Sequence, residues 1–402
     1  MPATAFWPNP RVMRIVAVAA LAVFVGLLVG HLRGALATGL TADGTYVFGD
    51  DFINFWSAPR LAWLGRSDEI YDFARFHAFE ESVLGGKMTL YHYSYPPVMF
   101  LLSLPMAVLP YLPGLAFWFF GGIVVFALTV RVAWPGARWV DVVLYAVAAP
   151  AVFLNSMAGQ NGTWMAAILG FGLMLLPARP ILAGALLGVL VVKPQLAFLL
   201  PFALLAGRRW AALFATAGSA ALLLAGSVMI FGLDRWVEYR HQVAVLGPRV
   251  LEDGTDFWYL FTSVFVTVRH LPASVSTAYV VQAVAGVLAL GAVVYAWRGV
   301  GPLSAKYAAL VMGTFFATPY IQVYDLVVAM LVPLWLLQAG VSPRAWITAS
   351  VPLILAPLVV PMVAYGVGLE IGPLLLLPAL VVSVMASATG DVPQSRQTAQ
   401  PA

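Results

Sequence analysis

Residues 13–33 read MRIVAVAALAVFVGLLVGHLR. A helix needs roughly 20 consecutive apolar residues to cross a hydrocarbon core, and runs of this kind recur along the whole chain. Of 402 residues, 62% are hydrophobic and 9% charged, where soluble domains carry roughly 25% charged residues. The chain therefore reads as an all-α, polytopic integral membrane protein. The apolar-out, polar-in alternation of a membrane barrel is absent. Arg11 and Arg14 precede the apolar run Ile15–Val29, and no small-residue cleavage site follows cleanly. That run reads as an uncleaved first span with the N-terminus in the cytoplasm. The net charge of +4 reports topology rather than nucleic-acid binding. The lack of cysteine excludes disulfides, thiolate metal sites and cysteine nucleophiles.

Working outward from this span, residues 38–96 form an extracytoplasmic loop unlike the rest of the chain. From Gly49-Asp50-Asp51-Phe52 to Tyr95-Pro96-Pro97 it holds seven of the 17 acidic residues. Within it, Ala58–Leu64 and Asp68–Leu84 have helical patterning that suits interfacial helices. The run 97–131 is broken by Leu109-Pro110-Tyr111-Leu112-Pro113-Gly114, and 180–206 has Lys193-Pro194 at its middle, which predicts a broken helix or tight hairpin. Ten to twelve spans are expected in one membrane-embedded domain, 1–388, followed by a disordered cytoplasmic tail, 389–402.

Arg179, Arg208, Arg209, Arg298 and Arg344 all border apolar runs. With these inside, Gly159-Gln160-Asn161-Gly162, the loop 233–257, Pro319–Asp325 and, if 180–206 is a hairpin, Lys193 all fall on the side of Asp50 and Asp51. That convergence predicts a site at the extracytoplasmic face of a plasma (inner) membrane protein. Arg131 and Arg138 also belong inside, which requires an odd number of crossings between 97 and 131, whereas the Leu-Pro break suggests two.

Asp50 or Asp51 can act as a general base, or can solvate the loop and cap the following helix. No second carboxylate cluster supports a metal there. Lys193 at membrane depth needs a polar partner; it either anchors a phosphate or snorkels to an interface. Asp325, beside Tyr324, is either functional or a charge at a helix N-terminus. Gln160 and Asn161 either bind a sugar or satisfy helix ends. His92, Arg240 and His241 are candidate phosphate contacts, and Trp258 is a candidate sugar platform or an interface anchor.

Asp51-Phe52 followed by Trp56, Gly65, Tyr71-Asp72 and Tyr95-Pro96-Pro97 resembles the first outer loop of glycosyltransferase family 87. Gly159-Gln160-Asn161, Val192-Lys193-Pro194-Gln195 and Pro319-Tyr320 with Tyr324-Asp325-Leu326 are similar to its later landmarks, in order. The resemblance runs from about residue 45 to about 340. It implies a GT-C fold, a polyprenyl-phosphate sugar as donor substrate, no further cofactor, and an aspartate base in the first outer loop, which Asp51 matches better than Asp50. The best-studied members transfer mannose to glycolipids.

The expected function is therefore hexosyl transfer with inversion, Asp51 taking the proton of an acceptor hydroxyl on an unidentified glycolipid or glycan. The expected partners are membrane lipids and the donor, with no nucleic acid. A transporter or flippase of a lipid-linked sugar is the alternative. It favours a broken helix around a midplane site, but leaves the long polar loop unexplained.

Overall fold

The structure is a computed structural model describing residues 10–38, 47–254 and 257–389. Beyond Thr389, the expected tail lies outside the described residues. In chain order, α1 (Pro10–Thr38) precedes the turn that carries Asp50 and Asp51. α2 (Phe52–Trp63), α3 (Phe73–Leu84) and the short α4 (Val98–Leu102) lead to the long α5 (Tyr111–Ala133). α6 (Trp139–Ala148) and α7 (Pro150–Met157) are bent by 53° at their junction, where Pro150 removes a helical donor. α8 (Gly162–Leu175), α9 (Pro180–Gly188), α10 (Pro194–Ala197) and α11 (Leu200–Ala206) are short; α12 (Trp210–Phe231) and α13 (Leu233–Leu251) are long. α14 (Val264–His270), α15 (Val275–Arg298) and α16 (Leu303–Ala317) follow, then a tighter 3₁₀ stretch, Val323–Leu331, running into α17 (Val332–Gln338). α18 (Pro343–Val367) and α19 (Gly372–Ala388) close the bundle. Among the described residues no β-strand forms; Phe261 and Gln322 make an isolated antiparallel bridge.

Five helices, α1, α5, α12, α15 and α18, are long and apolar enough to cross a membrane, and the bent α6–α7 pair makes a sixth candidate. Other apolar helices have only 10–17 residues, short of a straight crossing at ~1.5 Å per residue. The expected ten to twelve crossings are reached only by counting these pieces with the long ones. The break at Lys193-Pro194 is present: 180–192 and 194–206 are separate apolar segments.

Contacts between elements fix which ends lie together. Arg14, near the start of α1, pairs with Asp141 at the start of α6, Nε to Oδ1 at 2.6 Å. The end of α17 reaches the end of α5, Gln338 donating to the Ala133 carbonyl. The Trp297 indole of α15 lies against Gly207 and donates to the Lys306 carbonyl of α16. Arg14, Arg131, Arg138, Arg208, Arg209 and Arg298 thus gather at one end of the bundle. The problem posed by Arg131 and Arg138 is solved locally: residues 98–107 make only two short turns against α2, and α5 alone runs the full length.

The interfacial assignment for the first of the loop helices does not hold. α2 begins at Phe52 rather than Ala58, and nine of its twelve residues are buried, leaving no broad face for a membrane surface. Phe52, Phe55 and Trp56 pack around Tyr111 and Trp118 of α5, so the loop folds into the bundle and joins its core.

Away from these elements, Glu370 links α14 to the α18–α19 turn. Its Oε1 accepts from the Gly372 N–H at 2.5 Å, and its Oε2 contacts the Thr267 hydroxyl. Thr267 Oγ1 also lies 3.0 Å from the Ser263 carbonyl. Burial pushes Glu370 up to about 8, while the hydrogen bonds it accepts from Thr267 and the Gly372 N–H pull it down. A carboxyl raised on folding is tolerated while it is protonated, and stability is lost as pH climbs from its unfolded value, about 4.3, toward 8. Glu370→Gln, which keeps a donor and an acceptor, is expected to flatten this part of the thermal-stability profile between pH 5 and 8. An unaltered slope would show that Glu370 is ionised throughout.

Candidate active site

The chain leaves α1 and turns sharply before α2. Gly49 has φ +98°, and Asp50 sits in the left-handed region at φ +45°, a conformation asparagine and aspartate tolerate better than most residues. Turn hydrogen bonds tie Asp50 N–H to the Val47 carbonyl (2.8 Å) and Phe52 N–H to the Gly49 carbonyl (2.9 Å). This twist sends the two adjacent carboxylates different ways. Asp50 Oδ1 accepts from the Tyr91 hydroxyl at 2.8 Å. Asp51 Oδ2 accepts from Gln160 Nε2 at 2.6 Å. Asp51 stands at the N-cap position of α2, but its side chain makes no capping bond; it is committed to Gln160 instead.

Gln160 arrives on the turn that ends α7. Gly159 (φ +60°) lies directly on the Gly49 carbonyl and the Phe52 N–H, where a Cβ would collide with backbone. The Gln160 amide is oriented in turn by the Tyr95 hydroxyl, which donates to Oε1 at 2.9 Å. The neighbouring Asn161 receives Lys193 Nζ at 3.0 Å, and Asn155 Oδ1 accepts the Gly162 N–H at 2.6 Å, starting α8.

Lys193, 2% exposed, sits at the break between the two apolar segments. It neither snorkels nor stands open. Its Nζ lies 2.5 Å from Asp325 Oδ1 and 5.3 Å from the centre of the Tyr324 ring. Asp325 also accepts the Gln322 N–H through Oδ2 at 3.2 Å, closing a reciprocal cap on the 3₁₀ stretch. One side chain thus caps the helical stretch and pairs with the buried lysine.

The electrostatics follow from this packing. Burial pushes Asp50 up to about 7, Asp51's charge adding to the effect and Tyr91 opposing it. Burial pushes Asp51 up to about 6, with Gln160 and then Lys193 pulling it back. Glu80 of α3 is fully buried; burial, then the charge of Asp51, hold it well above the usual carboxylate range. Among the described residues no cluster of three or more His, Asp or Glu is arranged to hold a metal ion.

The structure therefore brings together Asp50, Asp51, Gln160, Asn161, Lys193, Tyr324 and Asp325. It does not bring in the others. Trp258 belongs to a separate small core with Leu251, Phe261 and Phe265, its indole donating to the Val250 carbonyl at 2.8 Å. Arg240 and His241 lie on the exposed side of α13. His92 packs edge-on against Phe73, and burial, Arg249 and His77 lower its proton affinity, so at neutral pH it is an uncharged ring. Tyr91 and Tyr95 went unread, although Tyr95 stands in the quoted Tyr-Pro-Pro. An open groove of about 610 Å³ runs along α1, lined by Gly26, Gly30, Gly34, His31 and Phe48 among others.

A family model described as glycosyltransferase family 87 matches residues 93–319, more than half of the chain. The chain belongs to glycosyltransferase family 87. The match contains Tyr95, Gln160, Asn161 and Lys193; it starts after Asp51 and stops before Asp325. Comparison with curated proteins and with solved structures gives no match. The helical, multi-pass architecture agrees with the GT-C type expected for a membrane glycosyltransferase. In this glycosyltransferase, the residues inside the family match and the two aspartates outside it meet at one point.

Proposed function

We propose that this glycosyltransferase moves a hexose, mannose first among the candidates, from a polyprenyl-phosphate sugar to an acceptor hydroxyl at the extracytoplasmic face of the plasma membrane. Asp51 is the base. The acceptor oxygen attacks the anomeric carbon and its proton passes to Asp51. The bond from the anomeric carbon to the phosphate oxygen breaks, and polyprenyl phosphate leaves with the electron pair. Displacement from the opposite face inverts the anomeric centre.

The observation that carries this reading is the hydrogen bond between Gln160 and Asp51. It holds one carboxylate oxygen and leaves Oδ1 to meet a substrate proton, the arrangement a general base requires. Lys193 offsets the burial of Asp51 and keeps it closer to ionised. Since Lys193 is already paired with Asp325, it serves here as a fixed counter-charge. The largely apolar groove along α1, which reaches Phe48, suits a substrate with a hydrocarbon tail.

The test is transfer of radiolabelled sugar by purified protein in lipid, supplied with polyprenyl-phosphate-mannose, then other polyprenyl-phosphate sugars, and a lipid extract as acceptor. Labelled product is expected with at least one donor. Folded protein inactive with every donor would sink the reading and favour a lipid-linked sugar transporter. The same assay yields a pH profile. Asp51 must be ionised to accept a proton, and it shares its titration with Asp50, with apparent values of about 6 and 7 for the pair. The rate is therefore expected to level off above about pH 7 and to fall about tenfold per unit below 6. A flat profile from pH 5 to 8 would remove Asp51 as base.

A further inference from the structure

α13 presents two unlike faces. Leu233, Val237, Val243 and Val245 are exposed, whereas Gln242 and Leu246 are buried. Tyr239, Gln242 and Leu246 share one side of a helix by their spacing, and that side meets the first loop: the Tyr239 ring lies 5.8 Å from Tyr71. Tyr71 is 6.0 Å from Tyr93, and Tyr93 is 6.0 Å from Tyr95. Tyr95 holds Gln160, and Gln160 holds Asp51. A chain of tyrosines thus leads from the inner face of α13 to the carboxylate.

Two groups along it are anomalous. Gln242 is 4% exposed, and neither its amide nitrogen nor its amide oxygen has a hydrogen-bond partner. Tyr93 is fully buried, and its hydroxyl has none either. An unpaired buried polar group is destabilising, and native structures rarely leave such groups empty-handed. A donor–acceptor amide one helical turn from Tyr239, with the tyrosine rings and the Tyr93 hydroxyl beyond it, offers a chemistry that suits a pyranose: hydroxyls for the amide, and ring C–H faces for the aromatics.

We infer that Gln242, Tyr239 and Tyr93 form a pyranose-binding subsite roofed by α13. This rests on the glycosyl-transfer reading above and assigns the sugar ring its place. Tyr93 and Gln242 are both buried in the described state, so on this reading the sugar reaches them as α13 lifts and is gripped as it returns. Gly232, in a glycine-favoured conformation (φ +86°), heads the helix and permits that movement.

Sugar binding is read directly, without requiring transfer, by saturation-transfer NMR of methyl α-mannopyranoside, methyl α-glucopyranoside and methyl α-galactopyranoside with protein in nanodiscs. At least one is expected to give ring-proton signals with the wild type and equally with Asp51→Asn. Gln242→Leu is expected to weaken binding at least fivefold while leaving the melting temperature unchanged or raised, because the orphaned amide is gone. Tyr93→Phe removes one hydroxyl at almost constant volume and is expected to act in the same direction; it decides the matter should Gln242→Leu fail to fold. Val243→Ala, on the exposed face, is expected to change nothing. Equal binding by wild type, Gln242→Leu and Tyr93→Phe overturns the subsite, as does a lowered melting temperature with unaltered binding, which marks a structural glutamine or one satisfied by water. If sugars bind as described but no donor supports transfer, the subsite stands and the proposed reaction falls.

Discussion

Asp51→Asn is expected to lower the turnover of sugar transfer by about 10²–10⁴-fold, the usual contribution of a positioned base, with little change in fold or in KM. Asparagine has the same shape and still offers an oxygen to Gln160 Nε2, so the 2.6 Å contact is retained while the proton acceptor is lost. Asp50→Asn is the control. Its carboxylate is engaged by Tyr91, and its replacement removes a neighbouring charge that raises the proton demand at this turn. A smaller loss is therefore expected from Asp50→Asn, with the acid limb of the pH profile displaced. Should Asp50→Asn be the inactive variant and Asp51→Asn the active one, the base moves by one residue and Gln160 becomes a support for the turn.

Lys193→Met is expected to destabilise the protein by about 3–5 kcal/mol, because Asp325 would be left buried, charged and without its cation. The side chains involved are 3% and 1% exposed, so water cannot compensate. Lys193→Met combined with Asp325→Leu removes both charges, and much of the stability should return, since a buried ion pair replaced by apolar groups is often neutral or better. Activity should not return, because Asp51 will have lost the positive charge that restrains its proton affinity. Thermal melting and transfer rates of the two single variants and the double variant make a complete cycle. If Lys193→Met melts like the wild type, the pair does not form in the folded protein. If the double variant regains transfer, Lys193 has no part in the chemistry.

The convergence of distant polar clusters was legible because each was an exception in an apolar background. An Asp-Asp after the first span, a Gln-Asn pair between two runs, one lysine at membrane depth and one aspartate at a helix start all needed polar company, and they supplied it to one another. Helix counting was less secure. Hydropathy does not distinguish a crossing from a short buried turn, and 98–107 and the two segments around Lys193 depended on that distinction.

The pattern in α2 misled for a related reason. Its aromatics suggested one apolar face toward lipid, whereas the bundle covers the helix on nearly every side. On α13, charge drew the eye to Arg240 and His241, which face outward, and away from the next residue, Gln242, which faces in. The phase of an amphipathic helix depends on what packs against it, and here that is a cluster of tyrosines about 150 residues earlier in the chain. Tyr91 and Tyr95 stayed unread because a tyrosine in an aromatic-rich loop looks like packing until its hydroxyl is located.

The contact of Gly159 with the backbone of Gly49 and Phe52 has a bearing on how this catalyst can diversify. The spacing between Asp51 and the Gln160 amide is set where main chain meets main chain, with no side chain interposed. Under the proposed reaction, remodelling of the surrounding tyrosines, of α13 or of the α1 groove can therefore alter which substrate is accepted while the Asp51–Gln160 geometry stays in register. New specificities are accessible by changing the walls, and the hinge of the whole arrangement is a pair of glycines that offers no alternative residue.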